Sequence, residues 1–181
     1  GIRSEGMQQG GDITLESEIG EISATGDITS FSAEGRGGSI DIDAPESVNL
    51  ENVSSFGATE SGDLRIKSQI ATVNTGNVTT QAPDGPSGEV IINGSQITTG
   101  NLSSLGTVSS GIIQLEATDG SITTLDLESI ASEGEAGGID LDATGDISSE
   151  DQTVISGDGD ANIDIDAGGD VSLGNQEAIA N

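Results

Sequence analysis

A pair of aliphatic residues flanking a single, usually polar, residue recurs along the chain at almost constant spacing. It reads Ile13-Thr-Leu15, Ile40-Asp-Ile42, Leu64-Arg-Ile66, Val90-Ile-Ile92, Ile113-Gln-Leu115, Ile139-Asp-Leu141 and Ile163-Asp-Ile165. The intervals between first aliphatics are 27, 24, 26, 23, 26 and 24 residues, averaging 25. A repeat of this period identifies an array of stacked units. It also displaces disorder, the first alternative for a chain in which Ile, Leu, Val and Phe total 42 of 181 residues and the net charge is −28. A few aliphatics placed at random would not hold such a beat.

Each period carries further aliphatic positions. About eight residues after each pair come Ile22, Val48, Val73, Ile97, Ile122, Ile147 and Val171. A third set follows as Ile28, Val53, Val78, Leu102, Leu127 and Ile155. Alternation at i, i+2 between Gly, Asn, Asp and Ser marks short strands, and 28 glycines with three prolines oppose long helices. Three short strands per ~25 residues predict an all-β, three-sided, right-handed parallel β-helix of about seven coils. A β-sandwich is the structural alternative, but its strands keep no such beat. A rise of about 4.8 Å per coil gives a rod about 34 Å long. The coils are expected over residues 11–173, with 1–10 a polar lead-in and 174–181 a partial coil, all of one solenoid segment. Phe31 and Phe56 fall after Ser-rich stretches and are expected at corners. Gln81–Ser87, Ser132–Gly138 and Ser156–Asp160 share one phase of the repeat, which predicts loops clustered on one edge.

Phrases such as Gly26-Asp-Ile-Thr29, Ile139-Asp-Leu-Asp-Ala-Thr-Gly-Asp-Ile-Ser-Ser149 and Thr98-Thr-Gly-Asn-Leu-Ser-Ser104 resemble the repeat region of filamentous-haemagglutinin-type bacterial surface proteins. The resemblance covers roughly residues 11–173 and lies in the style of the repeat. It implies a β-helix exported through a two-partner route, secreted to the bacterial cell surface and acting as an adhesin or surface fibre. The chain opens on Gly1 rather than Met, so a processed, excised or longer parent is expected.

Composition narrows the chemistry. Arg3, Arg36, Arg65 and Lys67 are the only basic side chains, too few and too scattered for a nucleic-acid backbone. No His and no Cys means no imidazole base, no thiol and no zinc site of the usual kind. The longest run of branched aliphatics, Val90-Ile-Ile92, is far short of a membrane span. Many parallel β-helices cleave polysaccharides, yet this chain offers no aromatic platform and no singular pair of carboxylates, so no enzymatic role is expected. Nothing activates the abundant Ser and Thr hydroxyls. The recurring hydroxyl pairs, from Ile28-Thr-Ser30 to Ile147-Ser-Ser149, admit an ice-binding array in principle. Adjacent hydroxyls cannot both project outward from a strand, so hydroxyls bonded to backbone groups at corners are the simpler reading.

The acids are the remaining signal. With Ile and Leu inward, Asp41 and Asp43, Asp140 and Asp142, and Asp164 and Asp166 point outward. The last two pairs belong to consecutive coils and stack about 5 Å apart. They form either a salt-screened acidic face or a Ca²⁺ site on Asp140, Asp142, Asp164 and Asp166. Two function classes follow. One is a structural rod, a segment of an adhesin or the subunit of an end-to-end filament. The other is a solenoid that binds calcium or host or cell-surface glycans. Neither terminus reads as a cap, so the open coils are expected to meet flanking repeats or another copy, head to tail.

Overall fold

The computed structural model describes the whole chain, Gly1–Asn181. Its strands form three parallel sheets and wind into a β-solenoid. Sheet 1 has eight strands: Ile2–Gly6, Ile28–Ser32, Val53–Gly57, Val78–Ala82, Leu102–Gly106, Leu127–Ala131, Gln152–Ser156 and Gln176–Ala180. Sheet 2 has seven: Ile13–Glu16, Ile40–Ala44, Leu64–Ser68, Val90–Gly94, Ile113–Ala117, Ile139–Ala143 and Ile163–Ala167. Sheet 3 has seven shorter ones: Ile22–Ala24, Val48–Leu50, Thr72–Asn74, Gln96–Thr98, Ile122–Thr123, Ile147–Ser149 and Val171–Leu173. The chain visits sheets 1, 2 and 3 in turn, so every strand pairs only with its counterparts one coil before and after. No helix is present that is long and apolar enough to cross a membrane.

The period-2 pattern dictates the interior. Ile13, Ile40, Leu64, Val90, Ile113, Ile139 and Ile163 stand in register as one ladder, and Leu15 through Ile165 form the second. Sheet 3 adds the ladder from Ile22 to Val171. In the middle coils these side chains are sealed: Leu64, Val90, Ile92, Ile97, Ile113 and Leu115 are all 0 % exposed. Of the 116 backbone hydrogen bonds, 54 lie outside the strand ladders, so the corners stack coil on coil as well. At one corner an Asx column does this with side chains: Asn101 N–H donates to Asn77 Oδ1 at 3.0 Å, and Asn77 N–H to Asn52 Oδ1 at 3.0 Å.

Hydroxyls complete the core. Ser30, Ser55, Thr80, Ser104 and Ser129 of sheet 1 point inward and are at most 1 % exposed. Each reaches across to a corner column of glycines. Ser30 donates to Gly11 O and accepts from Gly38 N–H, and Ser55 does the same with Gly38 O and Gly62 N–H. Further along, Ser104 links Gly88 O and Gly111 N–H. Buried hydroxyls are tolerated because they are hydrogen-bonded, in both roles at Ser30, Ser55 and Ser104 and as a donor to Gly88 O at Thr80. The hydroxyl pairs therefore split, one member outward and one buried. They bond backbone groups as expected, from within the strands in sheet 1 but, for Thr99 and Thr124, from the corner just past the sheet 3 strand. The motif also occupies two different sheets, sheet 1 for Ile28-Thr-Ser30 and sheet 3 for Ile97-Thr-Thr99.

Four local expectations differ. Residues 1–10 are not only a lead-in, because Ile2–Gly6 is the first strand of sheet 1 and pairs with Ile28–Ser32. Gln81, Ala82 and Ser156 belong to strands, so those two loops begin at Pro83, whose missing N–H cannot extend the ladder, and at Gly157. Phe31 and Phe56 lie within strands, in register on the outer face, not at corners. Ile155 is also an outward residue, paired with Ile130; Gln152 holds the inward position that continues Leu127. The three predicted loops do share an edge, since all follow sheet 1 and precede sheet 2.

Gln152 is 0 % exposed, and its Nε2 has no hydrogen-bond partner, while its Oε1 accepts from Gln176 at 3.3 Å. An orphaned buried amide donor costs about 1–3 kcal/mol. Gln152→Leu extends the aliphatic ladder, and a rise in stability of about 1–2 kcal/mol is expected in chemical denaturation. Equal or lower stability would show that the amide is satisfied.

Candidate functional site

The interior is filled, so function must lie on the three outer faces or the edges between them. Their chemistry differs because outward columns are free to vary while inward ones are not.

The outer face of sheet 2 is acidic. One column runs Thr14, Asp41, Arg65, Ile91, Gln114, Asp140, Asp164, and the other Glu16, Asp43, Lys67, Asn93, Glu116, Asp142, Asp166. Arg65 and Lys67 interrupt the carboxylates in the third coil. Arg65 lies 3.3 Å from Asp63 and 3.6 Å from Glu89, in exposed pairs worth little individually. The four aspartates singled out in the sequence do meet: Asp140 is in register with Asp164, and Asp142 with Asp166. Asp140 is half-buried and the other three are exposed. Nowhere do three or more acidic side chains converge as a metal-binding group. Successive residues in each column are one coil apart, and Asp140 and Asp142 are two residues apart on a strand, roughly 6.6 Å. Screening alone predicts that NaCl and CaCl₂ at equal ionic strength raise the melting temperature equally. A rise specific to Ca²⁺ and reversed by chelator would instead mark a bound site on those four residues.

The outer column of sheet 3 is uncharged: Ser23, Asn49, Asn74, Thr98, Thr123, Ser148 and Ser172. Asn74 donates to Asn49 Oδ1 at 2.9 Å, one rung of an amide ladder.

The edge between sheets 1 and 2 carries the largest depression, about 300 Å³, open to solvent and lined among others by Asp12, Arg36, Glu60 and Asp63. Its polar groups are already committed. Arg36 bonds Glu60 at 2.6 Å, Asp12 accepts Ser39 N–H at 2.9 Å, and Asp63 accepts Glu89 N–H at 3.0 Å. Apolar side chains are absent from its lining, unlike the usual small-molecule cleft.

Sheet 1 carries a feature that the 25-residue beat of the aliphatic pairs does not announce. Its fourth-position column runs Glu5, Phe31, Phe56, Gln81, Leu105, Ile130, Ile155, Ile179, in which six of eight side chains are apolar and partly exposed, a stripe where the other apolar surface residues, such as Ile19 and Ile70, stand singly. The Phe31 and Phe56 rings stack with centroids 5.1 Å apart, and the Arg3 guanidinium lies 5.7 Å from the Phe31 centroid. Its signal in the sequence is an apolar residue three positions after most of the inward ones, as in Val53-Ser-Ser-Phe56 and Leu102-Ser-Ser-Leu105. An odd offset puts it on the opposite face of the strand.

Comparison with known protein families, characterised proteins and solved structures finds no match to this chain.

Proposed function

We propose that this chain is a structural, non-enzymatic extracellular rod, a segment of a bacterial surface adhesin or the subunit of a filament that extends end to end. The observation that carries the reading is the contrast between inner and outer coils. Inward aliphatics of the middle coils are sealed, whereas Leu15 and Ile22 near one end, and Ile163, Ile165 and Leu173 near the other, are only partly buried. Val171, in the same ladder as the buried Ile147, is 49 % exposed. Aliphatic ladders and unpaired strand edges of this kind gain from another coil laid in register, whether from flanking repeats or from another copy. The resemblance of the repeat to filamentous-haemagglutinin-type proteins supports a secreted, surface-displayed setting. The absence of His and Cys and the committed hydrogen bonds of the buried hydroxyls support a role without catalysis.

At −28, end-to-end contact needs screening. Sedimentation and negative-stain imaging across a salt and Ca²⁺ series are expected to reveal end-on growth as ionic strength rises. A compact monomer at every condition, with both end coils protected from hydrogen exchange, would overturn the filament form.

A further inference from the structure

We infer that the outer face of sheet 1 is a self-association surface, on which a second copy of this chain packs side by side and antiparallel. Three observations carry it. First, this face combines an apolar column with few charges on a strongly acidic rod. Its two outward columns hold three carboxylates, Glu5, Glu128 and Glu177, against Arg3, whereas those of sheet 2 hold eight. Like rods can approach here without pressing carboxylate columns together, and apolar burial then favours contact.

Second, the face is complementary to itself under one operation. A twofold axis along the strand direction reverses the rod and sets each column against itself, the first strand opposite the eighth. Phe31 then faces Ile155, and Phe56 faces Ile130, apolar on apolar. In the neighbouring column Arg3 faces Glu177, opposite charges at both ends of the contact. All four basic side chains lie in the first three coils, while residues 68–181 contain only acidic charges, so reversal also aligns the charge gradient favourably. Glu5 falls at the rim, where its own Arg3 pairs it at 3.2 Å. The parallel arrangement lacks these matches: it sets the apolar column against its polar neighbour, which runs Arg3, Thr29, Ser54, Thr79, Ser103, Glu128, Thr153, Glu177. A twofold contact of this kind is isologous and closes at a dimer.

Third, the size is sufficient. Five residues per strand and eight strands give a face of about 16 Å by 34 Å, so a pair covers roughly 1,100 Å² in total. That clears the approximately 1,000 Å² of a specific contact and lies at the low end, where association is transient.

The test uses the full chain in 0.15 M NaCl. Sedimentation velocity from micromolar to millimolar protein is expected to show a monomer–dimer equilibrium. Ile130→Lys should weaken it about tenfold or more, with a melting curve like the parent's; Ile130→Thr serves if the lysine variant does not fold. Arg3→Glu should weaken association several-fold, and Glu177→Arg added to it should restore the parent's value. The chain has no cysteine, so a nitroxide on Thr29→Cys reports one site. Antiparallel packing places the two labels about 26 Å apart, parallel packing about 10 Å. A parent chain monomeric throughout, a dimer with the short distance, or association indifferent to Ile130→Lys would each overturn the inference. End-on growth gives species beyond the dimer and does not depend on Ile130, so the rod reading stands or falls separately.

Discussion

Leu64→Asp is expected to abolish the single cooperative unfolding transition. Leu64 is 0 % exposed, in register between Ile40 and Val90, and the buried polar side chains of its own and adjoining coils are hydroxyls such as Ser55 and Thr80, already bonded to backbone. An isolated carboxylate there must lose its hydration or take up a proton, and either costs several kcal/mol. Because each coil contacts only its neighbours, the damage should split the rod. Hydrogen exchange is expected to show loss of protection centred on the third coil, with the fifth and sixth coils holding longest. Ile139→Asp should place the break nearer the other end. A Leu64→Asp variant melting like the parent would overturn the inward assignment of the whole ladder.

Gly88→Ala is expected to destabilise almost as strongly, although it adds a single methyl group. Gly38, Gly62, Gly88, Gly111 and Gly137 stack at the corner leading into sheet 2, and an added Cβ at Gly88 would collide with the carbonyl group of Gly62 in the preceding coil. The obstacle is backbone held in the ladder, which cannot rotate away as a side chain can. A cost of about 3 kcal/mol is expected from overpacking of this kind, measured by chemical denaturation. Gly20→Ala is the control, because the nearest atom to its added Cβ is Ser17 Oγ at 3.9 Å. Equal effects at both sites would refute the close-stacking argument.

The fold was legible because a strand's faces alternate and a coil repeats. Ile13 to Ile163 announce both facts at once, and the stacking partner of Asp140 could be named as Asp164 from spacing alone. The third ladder is legible as far as Leu127 and breaks at Gln152. A buried glutamine carries no hydrophobic signal, and Ile155 three residues on was the nearest aliphatic to stand in for it. The same ambiguity conceals the apolar stripe: with Ile155 counted among the inward aliphatics, nothing in the spacing groups it with Ile130 and Leu105.

The sequence by itself determined the solenoid, its period and the inward ladders of sheets 2 and 3, because the ladders of those two sheets that start at Ile13, Leu15 and Ile22 are aliphatic throughout. Tertiary structure decided what each outward and polar residue does. Ser30 and Thr29 are neighbours of similar chemistry, yet one is buried and bonded to Gly11 and Gly38 while the other faces outward. Side-chain type does not distinguish them, because a hydroxyl is stable in water and equally stable inside when both its bonds are made. Only the register of one coil on the next supplies those bonds. That same register also gathers Phe31, Phe56, Leu105 and Ile130, widely separated in sequence, into one face.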